Sequence, residues 1–382
     1  MGCGASIKSQ LIPPTPEQMP KKPELNLPFW NEHCKGKLLG KLSSGGDSKW
    51  RERYHFQKSK LFLPGADFID KLTMDNVKKE YAAGAKKTAG MMRWMVSTQV
   101  IKTEIVNANE FIGDRDCKLR PGYRYDNSKL KLLVVTPKKK PEGSLPAIVM
   151  AAPISLDNSE PELYDWLANK WASTLSAVIV LVGFRSFPLA EHPAGVMDMV
   201  AAVKWTHARA TDLGVDNNRV SLGTQSAGGF VTCPAPFELT MRGEHNLVKS
   251  VILEAPSLFP DGMFDTYDNM SEYQQYIWSH PFKAMYIGTA GDKWKELEEK
   301  KDPSLFVLHV PDEVIKNAPK HVISCGEFDD LAWAYCEYAD KLNSCGVLQD
   351  FVMVPGVAHI NICAAMFMGD PKYYVDFFKK AL

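Results

Sequence analysis

Three residues, Ser226, Asp329 and His359, have the types and the chain order needed for covalent chemistry. A serine hydroxyl is a poor nucleophile until a base takes its proton, and the base needs an acid to orient it. Ser226 lies in Val220-Ser221-Leu222-Gly223-Thr224-Gln225-Ser226-Ala227-Gly228-Gly229. There an apolar run ends, small residues permit a tight turn, and a helix can begin. A serine on such a strand–turn–helix elbow has its hydroxyl exposed above the sheet. The Ala227 N–H, with that of Gly228 or a backbone donor near Ala152–Ser155, is the expected receptor for negative charge on an attacked carbonyl oxygen. The run His321–Cys325 leads into Gly326-Glu327-Phe328-Asp329-Asp330. Asp329 is taken as the orienting acid and Asp330 as the cap of a helix beginning near Leu331, although either carboxylate suits the cap. The run Phe351–Val354 leads into Pro355-Gly356-Val357-Ala358-His359 and sets a histidine, the expected base, on the loop after the last strand.

These residues need a sheet to carry them. From about residue 128, short β-rich runs recur at Leu130–Thr136, Ala147–Ala151, Ala177–Phe184, Arg219–Gly223, Ser250–Glu254, His321–Cys325 and Asp350–Val354. Several are continuously apolar, as strands buried on both faces must be. Helical stretches are expected at Glu160–Thr174, Ala194–Ala210 and Leu331–Asn343. Such alternation predicts an α/β fold with a mostly parallel central sheet flanked by helices. All three candidate residues then fall at one sheet edge, where ligands bind in open α/β sheets.

The same residues resemble the hormone-sensitive-lipase-like carboxylesterases of the α/β-hydrolase superfamily over residues 128–382. Gly223–Gly229 is similar to that family's G-D-S-A-G-G elbow. Phe184-Arg185-Ser186-Phe187-Pro188-Leu189-Ala190-Glu191-His192-Pro193 resembles its Y-R-L-A-P-E-x-P segment. Asp198, Trp205 and Gly214–Val220 match its D…W and G-x-D-x-x-R-I run. Glu327–Leu331 and Pro355–His359 look like its acid and histidine loops. The resemblance implies an α/β-hydrolase fold with Ser226, Asp329 and His359 as the triad, and with His192 as a structural position. The sequence departs from the pattern in three ways. Ala151-Ala152-Pro153-Ile154-Ser155 stands where the family has HGGG, and proline has no N–H to donate. Thr224 occupies the first glycine of G-x-S-x-G. Gln225 and Asp330 replace the usual acid and proline.

Upstream, Met1-Gly2-Cys3-Gly4-Ala5-Ser6 fits the acceptor pattern for myristate on Gly2, with Cys3 beside it for palmitate. One acyl chain binds membranes marginally, whereas two give stable anchoring. Residues 1–60 add eleven Lys or Arg against five Asp or Glu, suited to an anionic leaflet. Pro13, Pro14, Pro16, Pro20, Pro23 and Pro28 predict an extended spacer. The expected organisation is an anchor and linker over 1–28, an N-terminal helical cap or accessory region over 29–127 and a catalytic domain over 128–382. Within the second segment, Ala66 to Val100 has helical spacing, and Met91, Met92, Trp94 and Met95 are expected to pack as core.

The apolar fraction of 45% and charged fraction of 24%, with 45 basic and 45 acidic residues, describe an ordinary globular chain. No global field or motif points to nucleic acid. Eight scattered cysteines without a CxxC pair or zinc spacing are expected as free thiols. No metal or organic cofactor is implied. The expected function is hydrolysis of carboxylic esters, preferably lipophilic, at the cytoplasmic face of a membrane. The altered HGGG position also supports an alternative, a weak or inactive ligand-binding or scaffold protein on the same fold.

Overall fold

The computed structural model describes residues 100–112, 129–139, 142–153, 161–186, 190, 192–259, 294–326, 332–354 and 376–382. Its centre is an eight-stranded sheet: β1 (Val100–Asn107), β2 (Lys129–Thr136), β3 (Leu145–Ala151), β4 (Val178–Gly183), β5 (Val215–Gln225), β6 (Ser250–Glu254), β7 (Lys320–Gly326) and β8 (Leu348–Val354). The strand order is β1-β2-β4-β3-β5-β6-β7-β8. β2 runs antiparallel to β1 and β4, and every pair from β4 to β8 is parallel. Every residue of β3, β4 and β6 is buried, which explains the apolar runs of β3 and β4 and the Val251-Ile252-Leu253 centre of β6.

Two cores form on the two faces. On one, Val149, Val180, Leu222, Leu253 and Ile323 meet α2 (Ala194–Ala208), α3 (Gly229–Thr232), α4 (Ala235–Met241) and α5 (Ala332–Ser344). On the other, Leu133, Ile148, Met150, Ile179 and Leu181 meet α1 (Asp165–Leu175) and the C-terminal residues Phe377 and Phe378. Most of α2 is buried, Asp198 included. A helix apolar all round belongs inside a protein.

The expected fold class and the seven expected strands are present. β5 begins four residues earlier than its apolar run, at Val215, where it pairs with Leu145 before a register shift. The helix expected at Glu160–Thr174 is a 3-10 turn, Pro161–Tyr164, followed by α1. The sheet also takes in β1, which lies within the segment 29–127. The anchor, the linker and the stretch from Ala66 to Met95 lie outside the described residues. No described helix is long and apolar enough to cross a membrane.

Candidate active site

β5 delivers Ser226. Its last residue, Gln225, is extended at φ −133° and ψ 139°, and Ser226 then turns to φ +55°. A side chain at positive φ is disfavoured by roughly 1–3 kcal/mol and persists only where the surroundings over-determine it. Here they do. Ser257 N–H donates to Ser226 O at 2.8 Å, and a helical turn, Ser226–Gly228, starts at once and continues into α3.

The two glycines after the serine are required by close approach. A Cβ on Gly229 would lie 2.5 Å from Ser257 O and 2.6 Å from Ser257 N, both backbone atoms. A Cβ on Gly228 would meet Ala152 O at 2.9 Å and collide with Thr224 Oγ1. The Thr224 side chain therefore fits because Gly228 has none. Thr224 is fully buried, with its hydroxyl 3.5 Å from Gln225 O. Ser226 itself is 8% exposed, enough to leave its turn at the surface of the edge without solvating it.

The Ala227 and Gly228 N–H groups belong to the first turn after the strand, where backbone donors lack an intrahelical acceptor. They remain the candidate oxyanion donors. The Ala152 N–H is directed at Val182 O, at 3.4 Å, at the end of the β3–β4 ladder, and Pro153 after it has no N–H. Ile154 and Ser155 lie outside the described residues.

The parallel register aligns the strand ends. Gln225 pairs with Glu254, Glu254 with Ser324, and Gly326 with Val354. Asp329 and Asp330 follow β7, and His359 follows β8, on segments outside the described residues, as do Gly2 and Cys3.

Two buried polar groups flank the elbow. Gln225 Nε2 donates to Glu254 Oε2 at 2.9 Å. On the β4 side, Arg185 N–H donates to Asp198 Oδ2 at 2.7 Å, and Arg185 Nε lies 3.0 Å from both carboxylate oxygens. Both side chains are fully buried. Burial raises the Asp198 pKa, opposed by the charge and hydrogen bonds of Arg185. The pair fastens the loop after β4 to the first turns of α2. His192, at the start of α2, meets Ser304 Oγ at 2.8 Å, and that hydroxyl donates to Asp302 Oδ1 at 2.6 Å. Burial lowers the His192 pKa to about 4, with Asp302 pulling the other way. Its ring is therefore a neutral structural donor at pH 7, held 112 residues along the chain from where its partner lies. Among the described residues no cluster of His, Cys, Asp or Glu could hold a metal ion.

Sequence reasoning missed Glu254 and Ser257 as neighbours of the Ser226 turn. Glu254 ends an apolar run and looks like a strand boundary; only the parallel register brings it beside Gln225.

A family model described as the α/β-hydrolase fold matches residues 158–362, a span that includes Ser226, Asp329 and His359. The chain belongs to that family. Its resemblance to the hormone-sensitive-lipase-like carboxylesterases is supported by relatives of the same kind. A carboxylesterase of Mycobacterium tuberculosis, NlhH, is 34% identical over 71 residues, 19% of this chain and 22% of the relative. The match thus spans about a fifth of that curated relative's length. Among solved structures, the hyperthermophilic esterase from the archaeon Pyrobaculum calidifontis aligns with a TM-score of 0.65 at 18% identity, covering 88% of this chain and 96% of that one. A bacterial heroin esterase aligns with a TM-score of 0.66 at 19% identity, covering 88% and 98%. At such identities these two likenesses speak to the α/β-hydrolase fold alone.

Proposed function

We propose that this α/β-hydrolase cleaves carboxylic esters by two-step acyl transfer at Ser226. The observation that carries the reading is the Ser226 turn, held at φ +55° at the sheet edge where β7 and β8 also end. His359 takes the Ser226 proton as Oγ attacks the ester carbonyl, and Asp329 fixes the imidazole tautomer and stabilises the imidazolium. Ala227 N–H, with Gly228 N–H, receives the oxyanion. The imidazolium protonates the departing alcohol. Water, deprotonated by His359, then attacks the acyl-enzyme, and Ser226 recovers its proton as the acid is released. The names of the relatives, a carboxylesterase and a heroin esterase, agree with an ester substrate. Esters are favoured over amides because Ala152-Pro153 stands in place of the HGGG loop, and a weaker oxyanion site suits the better leaving group.

Acylation of Gly2 and Cys3 would hold the enzyme at the cytoplasmic face of a membrane and favour lipophilic esters. One observation favours a second reading, a ligand-binding protein on this fold: Ala152-Pro153 stands in place of the HGGG loop after β3.

Labelling by a fluorophosphonate probe separates the two. Labelling of the wild type that Ser226→Ala and His359→Ala both abolish supports the hydrolase, and an ester screen follows. A folded wild type that stays unlabelled supports ligand binding. Flotation with liposomes after co-expression with an N-myristoyltransferase tests the anchor; Gly2→Ala is expected to release the protein, and equal flotation of both forms would refute it.

A further inference from the structure

Gln225 and Glu254 are the last residues of adjacent parallel strands and register partners of each other. Their side chains are 1% and 0% exposed, and the Gln225 amide donates to the Glu254 carboxylate at 2.9 Å. One residue beyond Gln225 the chain turns to φ +55° at Ser226, and one residue beyond Glu254 it turns to φ +42° at Ala255. The two left-handed turns leave the sheet side by side. The second is fixed by Ala255 N–H to Ser324 O at 2.8 Å, and it fixes the first through Ser257 N–H to Ser226 O, also 2.8 Å.

A buried carboxylate demands donors, and a carboxamide beside it supplies one. The acid found at position 225 in the motif this chain resembles would instead set two carboxylates together out of water. Gln225 and Glu254 are therefore chemically matched, and the pair sits one peptide before Ser226.

We propose that Glu254 is a positioning residue: through Gln225 it fixes the peptide plane that aims the Ser226 hydroxyl. This rests on the reading of Ser226 as the nucleophile. The side chain at 225 cannot turn without breaking the bond to Glu254, and the 225–226 peptide is the unit from which the Ser226 N–Cα bond departs at φ +55°.

The test compares Gln225→Glu, Glu254→Gln and the swap Q225E/E254Q in the full chain, each checked for fold by circular dichroism. The readouts are the fluorophosphonate labelling rate and, on a p-nitrophenyl ester, kcat and KM separately. Gln225→Glu is expected to slow labelling and kcat about tenfold or more, with KM nearly unchanged, because it replaces a charge-assisted hydrogen bond by repulsion. The swap regenerates one carboxylate–amide bond in the opposite sense and is expected to bring both rates back within about threefold of wild type. Rescue of kcat, at unchanged folded fraction, is what a merely structural pair would not give. A folded Gln225→Glu protein that labels at the wild-type rate overturns the proposal, as does a folded swap as slow as the single variant. Should Gln225→Glu fail to fold, Glu254→Gln decides: a kcat several-fold lower at equal KM supports positioning, and a wild-type kcat refutes it. A wild type that does not label at all removes the nucleophile reading and this one with it, whereas a labelled wild type with indifferent variants removes this one alone.

Discussion

The turns that leave the sheet at the ends of β5 and β3 lie against each other, Gly228 pressed on Ala152 O, yet they differ in kind. The β5 turn is held from several sides: a left-handed serine, two glycines with no room for a methyl, and a backbone bond to Ser257. The β3 turn has lost the glycines its family places there and gives its first N–H to the sheet. Setting the Ser226 turn is thus a matter of packing and register, which this chain keeps. Supplying further oxyanion donors depends on the residues after β3, where Ala152 and Pro153 depart from the motif this chain resembles. The two requirements are physically separable, and substitutions can be aimed at either.

The largest expected effect strikes the frame that both turns share. Arg185 and Asp198 bury two charges and tie the loop after β4 to α2. Asp198→Ala would leave the guanidinium buried without its carboxylate. Removing one partner of such a pair typically costs about 3–5 kcal/mol. A large drop in the urea midpoint is expected, together with loss of whatever either turn does. A double replacement by apolar residues, R185M/D198L, is expected to recover much of the stability. An unchanged midpoint for Asp198→Ala would mean that the pair is not what holds the loop.

The next effect is a gain. Pro153→Gly adds an N–H to the impoverished β3 turn without touching the β5 turn. One oxyanion donor is commonly worth about 10²–10³ in kcat. An increase toward that range at nearly constant KM is expected on a p-nitrophenyl ester. No increase would show that the Ala227 and Gly228 donors already suffice and that the two turns are less unequal than they look.

The opposite intervention damages the crowded turn. Gly229→Ala drives a methyl against Ser257 backbone atoms at 2.5 and 2.6 Å. Overpacking of this sort costs about 1–3 kcal/mol, and the elbow must shift to relieve it. Labelling at Ser226 should fall more steeply than the melting temperature. A protein that melts earlier but labels normally would show the elbow to be more tolerant than its packing suggests.

The contrast between the turns also marks what a sequence can convey. Ser226 is legible because small residues at fixed offsets announce an elbow, and apolar runs announce β3, β4 and β6. β1 is hidden in the sequence: Lys102-Thr103-Glu104 splits its apolar pairs Val100-Ile101 and Ile105-Val106, and Ile101 and Ile105 are 40% and 59% exposed, so no apolar run marks it. The start of β5 is hidden by Asp216-Asn217-Asn218. Asp198 and Arg185 are visible as motif positions, but their mutual contact is not. The Gln225–Glu254 bond and the capture of Ala152 N–H by Val182 depend on register, which no single strand's composition specifies.

The smallest effect separates stability from chemistry by pH. His321 lies at the opposite end of β7 from the candidate site. Its ring N–H donates to Pro319 O at 2.8 Å, it stacks on Phe237, and it is fully buried. Burial lowers its pKa to about 3, against the Pro319 hydrogen bond, which favours the charged form. The folded protein therefore keeps His321 neutral, while the unfolded chain takes up a proton below its ordinary value of 6.5. Its contribution is complete above that pH and is lost progressively as pH falls, until the folded form also titrates near 3. The slope is roughly 1.4 kcal/mol per pH unit. Urea midpoints measured between pH 6.5 and 5 should fall in the wild type and fall less steeply in His321→Gln. His192, lowered to about 4, adds a second slope that this variant retains. The acid limb of labelling at Ser226 should be the same in both proteins, since His321 belongs to the far edge of the sheet. If His321→Gln moved that limb, the fold and the elbow would share one titration, and the independence of the two edges would be lost.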